Sequence, residues 1–130
     1  MIVADSDVLI DFLRGRGAGA RRVAKELATR SFGTTAITAF EIRSGARTAR
    51  QRRSIDTLLE AMTVLSFGPE EARIAAEIRQ QVESQGQPIG MADYMIAATC
   101  LATDGVLLTR NRKHFERIKD LKLSGLAAEP

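Results

Sequence analysis

The chain has almost none of the residues from which soft-metal and redox sites are built. One cysteine, Cys100, and one histidine, His114, stand in 130 residues, and tryptophan is absent. A lone thiol forms no internal disulfide and builds no zinc site, so the cytoplasm is the expected compartment. With one tyrosine and five phenylalanines there is little material for an aromatic platform that stacks successive bases. Proline is scarce too, at three residues. No Pro/Ser-rich linker, internal repeat or low-complexity tract divides the chain, and a single domain over residues 1–130 is expected. No stretch approaches the roughly 20 nearly uncharged residues of a membrane span. Asp5, Asp7 and Asp11 interrupt the apolar start that a secretory signal needs.

What is present is the mixture of an ordinary globular domain: 45% hydrophobic and 27% charged residues. The net charge of +3 comes from 19 basic and 16 acidic residues, and 15 of the basic residues are arginine. Arginine is the better residue for bidentate phosphate contacts, so the excess hints at a nucleic-acid partner.

Apolar residues 1–4, ending at Asp5, read as a buried strand opening at its carboxyl end. Ser6 or Asp7 can cap a helix running to Leu13, which Gly15 and Gly17 stop. Residues 18–30 read as a second helix, 32–35 as a short strand, and Thr35 or Thr38 as the start of a helix carrying Ile37, Phe40 and Glu41. After a cationic stretch (Arg43, Arg47, Arg50, Arg52 and Arg53), Ile55, Leu58, Leu59 and Met62 have amphipathic-helix spacing. Residues 63–67 read as a strand. Pro69 suits the first position of a helix, with Glu70 and Glu71 favourable to its dipole. Ile74, Ile78 and Val82 then repeat every four residues up to Gly86. Residues 91–103 form a helix-length segment with one charge, Asp93. A buried strand over 106–109 and a short helix over 114–118 close the pattern. Strands alternating with helices predict an α/β sandwich around a mainly parallel sheet. In such sheets sites form outside the carboxyl ends of the strands.

Three acids stand out against this frame. Asp5 falls where the first strand ends, as a site residue or a plain helix cap. Asp93 shares a helix face with Ile96, Ala97 and Cys100; buried and unpaired there it would cost several kcal/mol, so it meets a partner or faces a polar cleft. Glu41 lies one turn from Ile37, as a site acid or a solvated glutamate beside the arginines. Clustered carboxylates repel and need a cation at neutral pH. An oxygen-only donor set favours Mg²⁺ or Mn²⁺, which suits phosphoryl chemistry through an activated water and charge neutralisation. The Arg43–Arg53 stretch can hold a polyanionic backbone, or be a solvated helix face.

Four segments, in order, resemble the motifs of PIN-domain ribonucleases, in particular the VapC-type toxins of bacterial toxin–antitoxin pairs. They are Ile2-Val3-Ala4-Asp5-Ser6-Asp7-Val8-Leu9-Ile10; Phe40-Glu41-Ile42 with Gly45; Pro88-Ile89-Gly90-Met91-Ala92-Asp93-Tyr94-Met95-Ile96-Ala97-Ala98; and Leu107-Leu108-Thr109-Arg110-Asn111 with His114-Phe115-Glu116-Arg117-Ile118. The resemblance implies a three-layer α/β/α domain and a Mg²⁺- or Mn²⁺-dependent endoribonuclease acting on structured RNA, tRNA or rRNA. It implies that Asp5 and Asp93 hold the metal, that Glu41 completes the catalytic set, and that Asp7 supports it. Members commonly carry a fourth acid at the position of Asn111 or His114, and this chain has none at either. The resemblance also implies a cognate antitoxin lying across the active-site groove, and a homodimer or a toxin–antitoxin hetero-oligomer. Phe12, Leu13, Val23 and Leu27 are candidates for an apolar groove, or ordinary core.

Two other functions compete. A haloacid-dehalogenase-type phosphatase also opens with a strand and Asp-x-Asp, but none of Lys25, Lys113, Lys119 and Lys122 precedes the Gly-Asp-x-x-x-Asp pattern that it needs. A metal-poor PIN-like module that binds RNA or protein without catalysis would explain the missing fourth acid, but not the three that are present.

Overall fold

The structure, a computed structural model, describes residues 1–126. Its elements are β1 (Ile2–Ala4), α1 (Ser6–Arg14), α2 (Gly17–Leu27), β2 (Phe32–Thr35), α3 (Ala36–Ser44), α4 (Ala49–Glu60), β3 (Thr63–Leu65), α5 (Pro69–Ser84), α6 (Met91–Ala102), β4 (Val106–Leu108), α7 (Arg112–Phe115) and β5 (Lys122–Ser124). The five strands form one sheet in the order β3-β2-β1-β4-β5, and every pairing is parallel.

Successive strand residues point to opposite faces, and β1 and β4 use this to build two cores. Val3 and Leu107 face one way, against α5 and α6, where Ile78, Val82, Tyr94 and Ile96 complete the packing. Ala4 and Leu108 face the other way, with Val8, Leu9, Val23 and Phe32, and with Ile42, Ile55 and Leu58 behind them. Helices therefore cover both faces of the sheet, giving the α/β/α layering. Each fully buried Leu, Ile or Val in these layers contributes about 1.5–3 kcal/mol.

α1 and α2 pack tightly against each other. Gly15, at φ 69°, makes the left-handed cap of α1, and its N–H donates to the Asp11 and Phe12 carbonyls. Further on, a Cβ on Gly19 would stand 2.4 Å from Asp11 Oδ2. Only glycine allows α2 to pass so close to that carboxylate.

The cap of α1 is Asp5, as one of its two readings has it, and not Ser6 or Asp7; it is extended at φ −80° and ψ 166°, and its side chain accepts from the Ser6 N–H. Elsewhere the chain departs from the sequence-based expectation. The second helix ends at Leu27 instead of residue 30: the Thr29 hydroxyl turns back to the Glu26 carbonyl, and Arg30 takes φ 60°. β3 stops at Leu65, because Ser66 and Phe67 lead into the Gly68 cap of α5. The last short helix starts at Arg112, straight after Asn111. The edge strand β5 had no legible signal: three residues, begun by a lysine, carry too little alternation. Thr35, one of two expected starts, does cap α3, accepting from the Thr38 N–H.

Candidate active site

The strand order places the site. From β1 the chain winds outward to β2 and β3, then returns to β4 on the other side of β1. The carboxyl ends of β1 and β4 flank the point where the winding reverses, the crevice where open α/β sheets bind ligands. Ala4 pairs with Leu108, so the residues that follow, Asp5 and Thr109, emerge side by side. The Asp5 N–H donates to the Leu108 carbonyl at 2.9 Å.

Asp5 is 6% exposed, and donors meet both of its oxygens. Oδ1 accepts from the Ser6 N–H at 2.8 Å; Oδ2 accepts from the Thr109 hydroxyl at 2.8 Å. Burial, then the charges of Asp7 and more weakly Asp93, raise its pKa from 3.8 to about 6 against these bonds. Asp5 is thus both a helix cap and a strained acid at the sheet end.

Asp7, on the first turn of α1, accepts through Oδ2 from the Arg110 N–H at 3.0 Å. Its Oδ1 is buried with no partner among the described residues. Burial raises its pKa, and the Arg110 N–H and guanidinium oppose the rise. One turn later Asp11 pairs with the Arg110 guanidinium at 3.2 Å. α1 therefore grips the loop after β4 at two points.

α3 brings Glu41 to the same end of the sheet. Its Oε1 is also buried without a partner among the described residues. Burial, then the charge of Asp93, push its pKa up, and the Ser6 hydroxyl offsets part of this. Asp93 enters in the first turn of α6. The Tyr94 hydroxyl, accepting from the Ile89 N–H at 3.1 Å, ties the preceding loop to that helix.

His114 Nδ1 lies 3.3 Å from Asp93 Oδ2 and 2.8 Å from Asn111 Nδ2. One ring nitrogen cannot accept from the amide and donate to the carboxylate at once. With the amide turned end for end, Nδ1–H donates toward both oxygens.

Asp5, Glu41 and Asp93 thus lie toward the same end of the sheet, near enough for the charge of Asp93 to act on the other two. Carboxylate oxygens are chemically suited to a hard divalent cation; burial raises the pKa of Asp5, Asp7 and Glu41, and Asp7 and Glu41 each keep a buried oxygen unpartnered among the described residues. No three His, Cys, Asp or Glu side chains among the described residues are gathered closely enough to hold one ion.

The PIN domain family model matches residues 2–121. The chain belongs to the PIN-domain family. Ribonuclease VapC10 of Mycobacterium tuberculosis is 34% identical over 122 residues, which cover 94% of this chain and 91% of that protein. Ribonuclease VapC1 of Methanocaldococcus jannaschii is 30% identical over 122 residues, covering 94% of this chain and 84% of that protein. Among solved structures, VapBC-1 from nontypeable Haemophilus influenzae superposes with a TM-score of 0.83 at 27% identity, covering 97% of this chain and 98% of that one.

Two parts of this PIN domain escaped the reading of individual residues. Thr109, 1% exposed, positions Asp5; only the strand register puts them together. Ser6 donates its backbone N–H to Asp5. The basic stretch is divided by the fold: Arg43 is spent on Asp56 at 2.7 Å, whereas Arg50 and Arg53 line a hollow with Phe12, Leu13 and Leu27. Val23, expected as a candidate for that groove, is fully buried and belongs to the core. No helix among the described residues is long and apolar enough to cross a membrane.

Proposed function

We propose that this PIN domain is a metal-dependent endoribonuclease, the toxin of a VapBC-type toxin–antitoxin pair. One observation carries the reading: Asp5, Glu41 and Asp93, from three separate elements, lie toward the winding reversal of the sheet, and Glu41 and the neighbouring Asp7 each hold a buried oxygen with no partner among the described residues. Such a cluster is costly for the fold, and a non-catalytic domain has no use for it. The ribonuclease names of relatives at 30% identity and above support the same reading.

Asp5 and Asp93 are the residues that would hold Mg²⁺ or Mn²⁺. The bound ion supplies positive charge to the phosphate and lowers the pKa of a water. Ser6 and Thr109 fix the Asp5 carboxylate, so its orientation is set before any ligand arrives. Glu41 Oε1, free and with its proton affinity raised by burial, is suited to accept a proton from the attacking water. Asp7 steadies the Thr109–Arg110 backbone. RNA is the substrate, with tRNA or rRNA as the class by resemblance. An antitoxin is the partner, in a homodimer or a toxin–antitoxin hetero-oligomer, and the cytoplasm is the place of action.

A PIN-like module that binds RNA or protein without catalysis is the second reading, favoured by the lack of three gathered donors among the described residues. RNA-end sequencing after brief induction, beside an Asp93→Asn control, separates the two. New ends that need Asp93 support the ribonuclease; none from either chain supports the binding module. Cleavage of purified RNA in Mn²⁺ or Mg²⁺ tests the donor set. Activity that Zn²⁺ alone restores after EDTA would sink the oxygen-ligand assignment.

A further inference from the structure

A cavity of about 430 Å³ lies between α1, α3 and α4, and Glu41 forms part of its wall. Ile10, Leu13, Ile42 and Ile55 give it apolar sides, and Arg14 and Arg50 stand beside them. Leu13, Arg50 and Ser54 are shared with the adjoining hollow that contains Arg53. The two form one groove that leads away from the carboxylates along α4. Arg14, Arg50 and Arg53 are exposed, and none has an ion-pair partner among the described residues. Polar groups are also to hand. Gln51 spends its oxygen on the Arg47 and Thr48 N–H groups, which leaves its amide N–H₂ uncommitted, and Ser54 supplies a hydroxyl.

Apolar walls, a cationic rim and a few edge donors match one repeating ligand: a flat base on a phosphodiester chain. We propose that this groove is the RNA track beside the cleavage site. The base of a nucleotide neighbouring the scissile phosphate enters the cavity walled by Leu13, Ile42 and Ile55, and the phosphates lie on Arg14, Arg50 and Arg53. The proposal rests on the ribonuclease reading and adds to it the surface that selects the RNA. Single-stranded segments are the fitting form, because only unstacked bases can be splayed into a pocket. No aromatic side chain lines the cavity, so the base is held by burial against the apolar walls.

The test measures binding without cleavage. Fluorescein-labelled RNA hexamers, intact or lacking one base at each position in turn, are titrated by anisotropy with the full chain in EDTA over a salt series. The double variant Arg14→Glu/Arg50→Glu is expected to bind about tenfold more weakly, with a salt slope lower by about 1.4, the release from two single-strand phosphate contacts. Arg79→Glu, on α5 of the opposite layer, is expected to match the parent. Ser54→Trp, which fills the cavity from its rim, should weaken intact hexamers about tenfold and leave the hexamer lacking the docked base unchanged, because the burial of one base is lost. Equal effects of the double variant and Arg79→Glu overturn the track. Equal effects of Ser54→Trp on intact and abasic RNA overturn the base pocket. If the variants bind and cleave like the parent, the groove is not the track and the ribonuclease reading stands. If they keep RNA but lose a protein that co-purifies with the parent, the groove is a protein interface and the proposal fails. If the parent neither binds nor cleaves RNA, the ribonuclease reading falls and the track with it.

Discussion

Asp5→Asn is expected to stabilise the protein in a chelating buffer at neutral pH. Raising the Asp5 pKa from 3.8 to about 6 corresponds to about 3 kcal/mol, at about 1.4 kcal/mol per unit. At 6% exposure solvent screens little of this. Asparagine keeps an oxygen for the Ser6 N–H, and the Thr109 hydroxyl can rotate to accept from its amide. Exchanging a charged for a neutral acceptor forfeits about 1 kcal/mol. The net expectation at pH 7.5 is a gain of about 1–2 kcal/mol, a melting point higher by about 3–8 °C.

The pH dependence identifies the cause. Between pH 3.8 and about 6 the folded state binds the Asp5 proton more tightly than the unfolded state. Parent stability contributed by this group therefore falls as pH rises through that window and is level above it. The variant lacks this loss, so its advantage should be nil or reversed near pH 4 and grow to its full size by about pH 6.5. Urea unfolding of both chains in EDTA across this range measures it. With Mn²⁺ or Mg²⁺ in large excess only the parent should gain, by about 2.7 kcal/mol at a hundred times Kd. An Asp5→Asn chain that is less stable than the parent at pH 7.5 in EDTA, or an advantage that does not change with pH, would refute the reasoning and make Asp5 a structural cap alone.

Asp93→Asn should cut RNA cleavage to background and abolish the rise in melting point that Mn²⁺ or Mg²⁺ gives the parent; a variant that still melts higher with metal removes Asp93 from the ligand set. His114→Asp restores an acid next to Asp93 and should tighten Mn²⁺ binding severalfold in calorimetric titration; unchanged affinity and rate place His114 outside the metal's reach. Gly19→Ala drives a Cβ into the Asp11 carboxylate and should cost about 1–3 kcal/mol in chemical denaturation, with no gain or loss of metal response per folded molecule.

The layers and the acids were legible in the sequence for different reasons. Val3-Ala4 and Leu107-Leu108 read as buried strands because a parallel sheet covered on both faces leaves no polar side. Asp5 and Asp93 were conspicuous because each interrupts an apolar segment where a charge is expensive. The contacts between them were hidden, since they depend on register. Thr109 meets Asp5 only because Ala4 pairs with Leu108, and nothing within either segment sets that pairing. The division of the arginines was hidden too. Arg43 and Arg50 look alike in a basic run, and only the packing of α3 against α4 assigns one to Asp56 and leaves the other beside the cavity.

The same placement separates function from folding. Both hydrophobic layers close beneath the site: Val3, Ala4, Leu107 and Leu108 are fully buried, and Asp5 and its partner Thr109 stand one residue beyond Ala4 and Leu108. The mutual repulsion of the acids therefore acts on loop and helix starts, not on the cores. No cationic group bonds Asp5, Asp7 or Glu41 among the described residues; Arg110 gives Asp7 only its backbone N–H and turns its guanidinium to Asp11. The carboxylates are left under-neutralised at a spot where neutral hydrogen-bonding side chains could take over their cap and loop contacts. A total stability of typically 5–15 kcal/mol makes a penalty of about 3 kcal/mol at Asp5 alone a large fraction to carry. It is sustained without loss of folding because the cores do not depend on it; under the proposed function, a bound cation would recover it. That is why substitutions which neutralise these acids should be tolerated structurally while removing the chemistry.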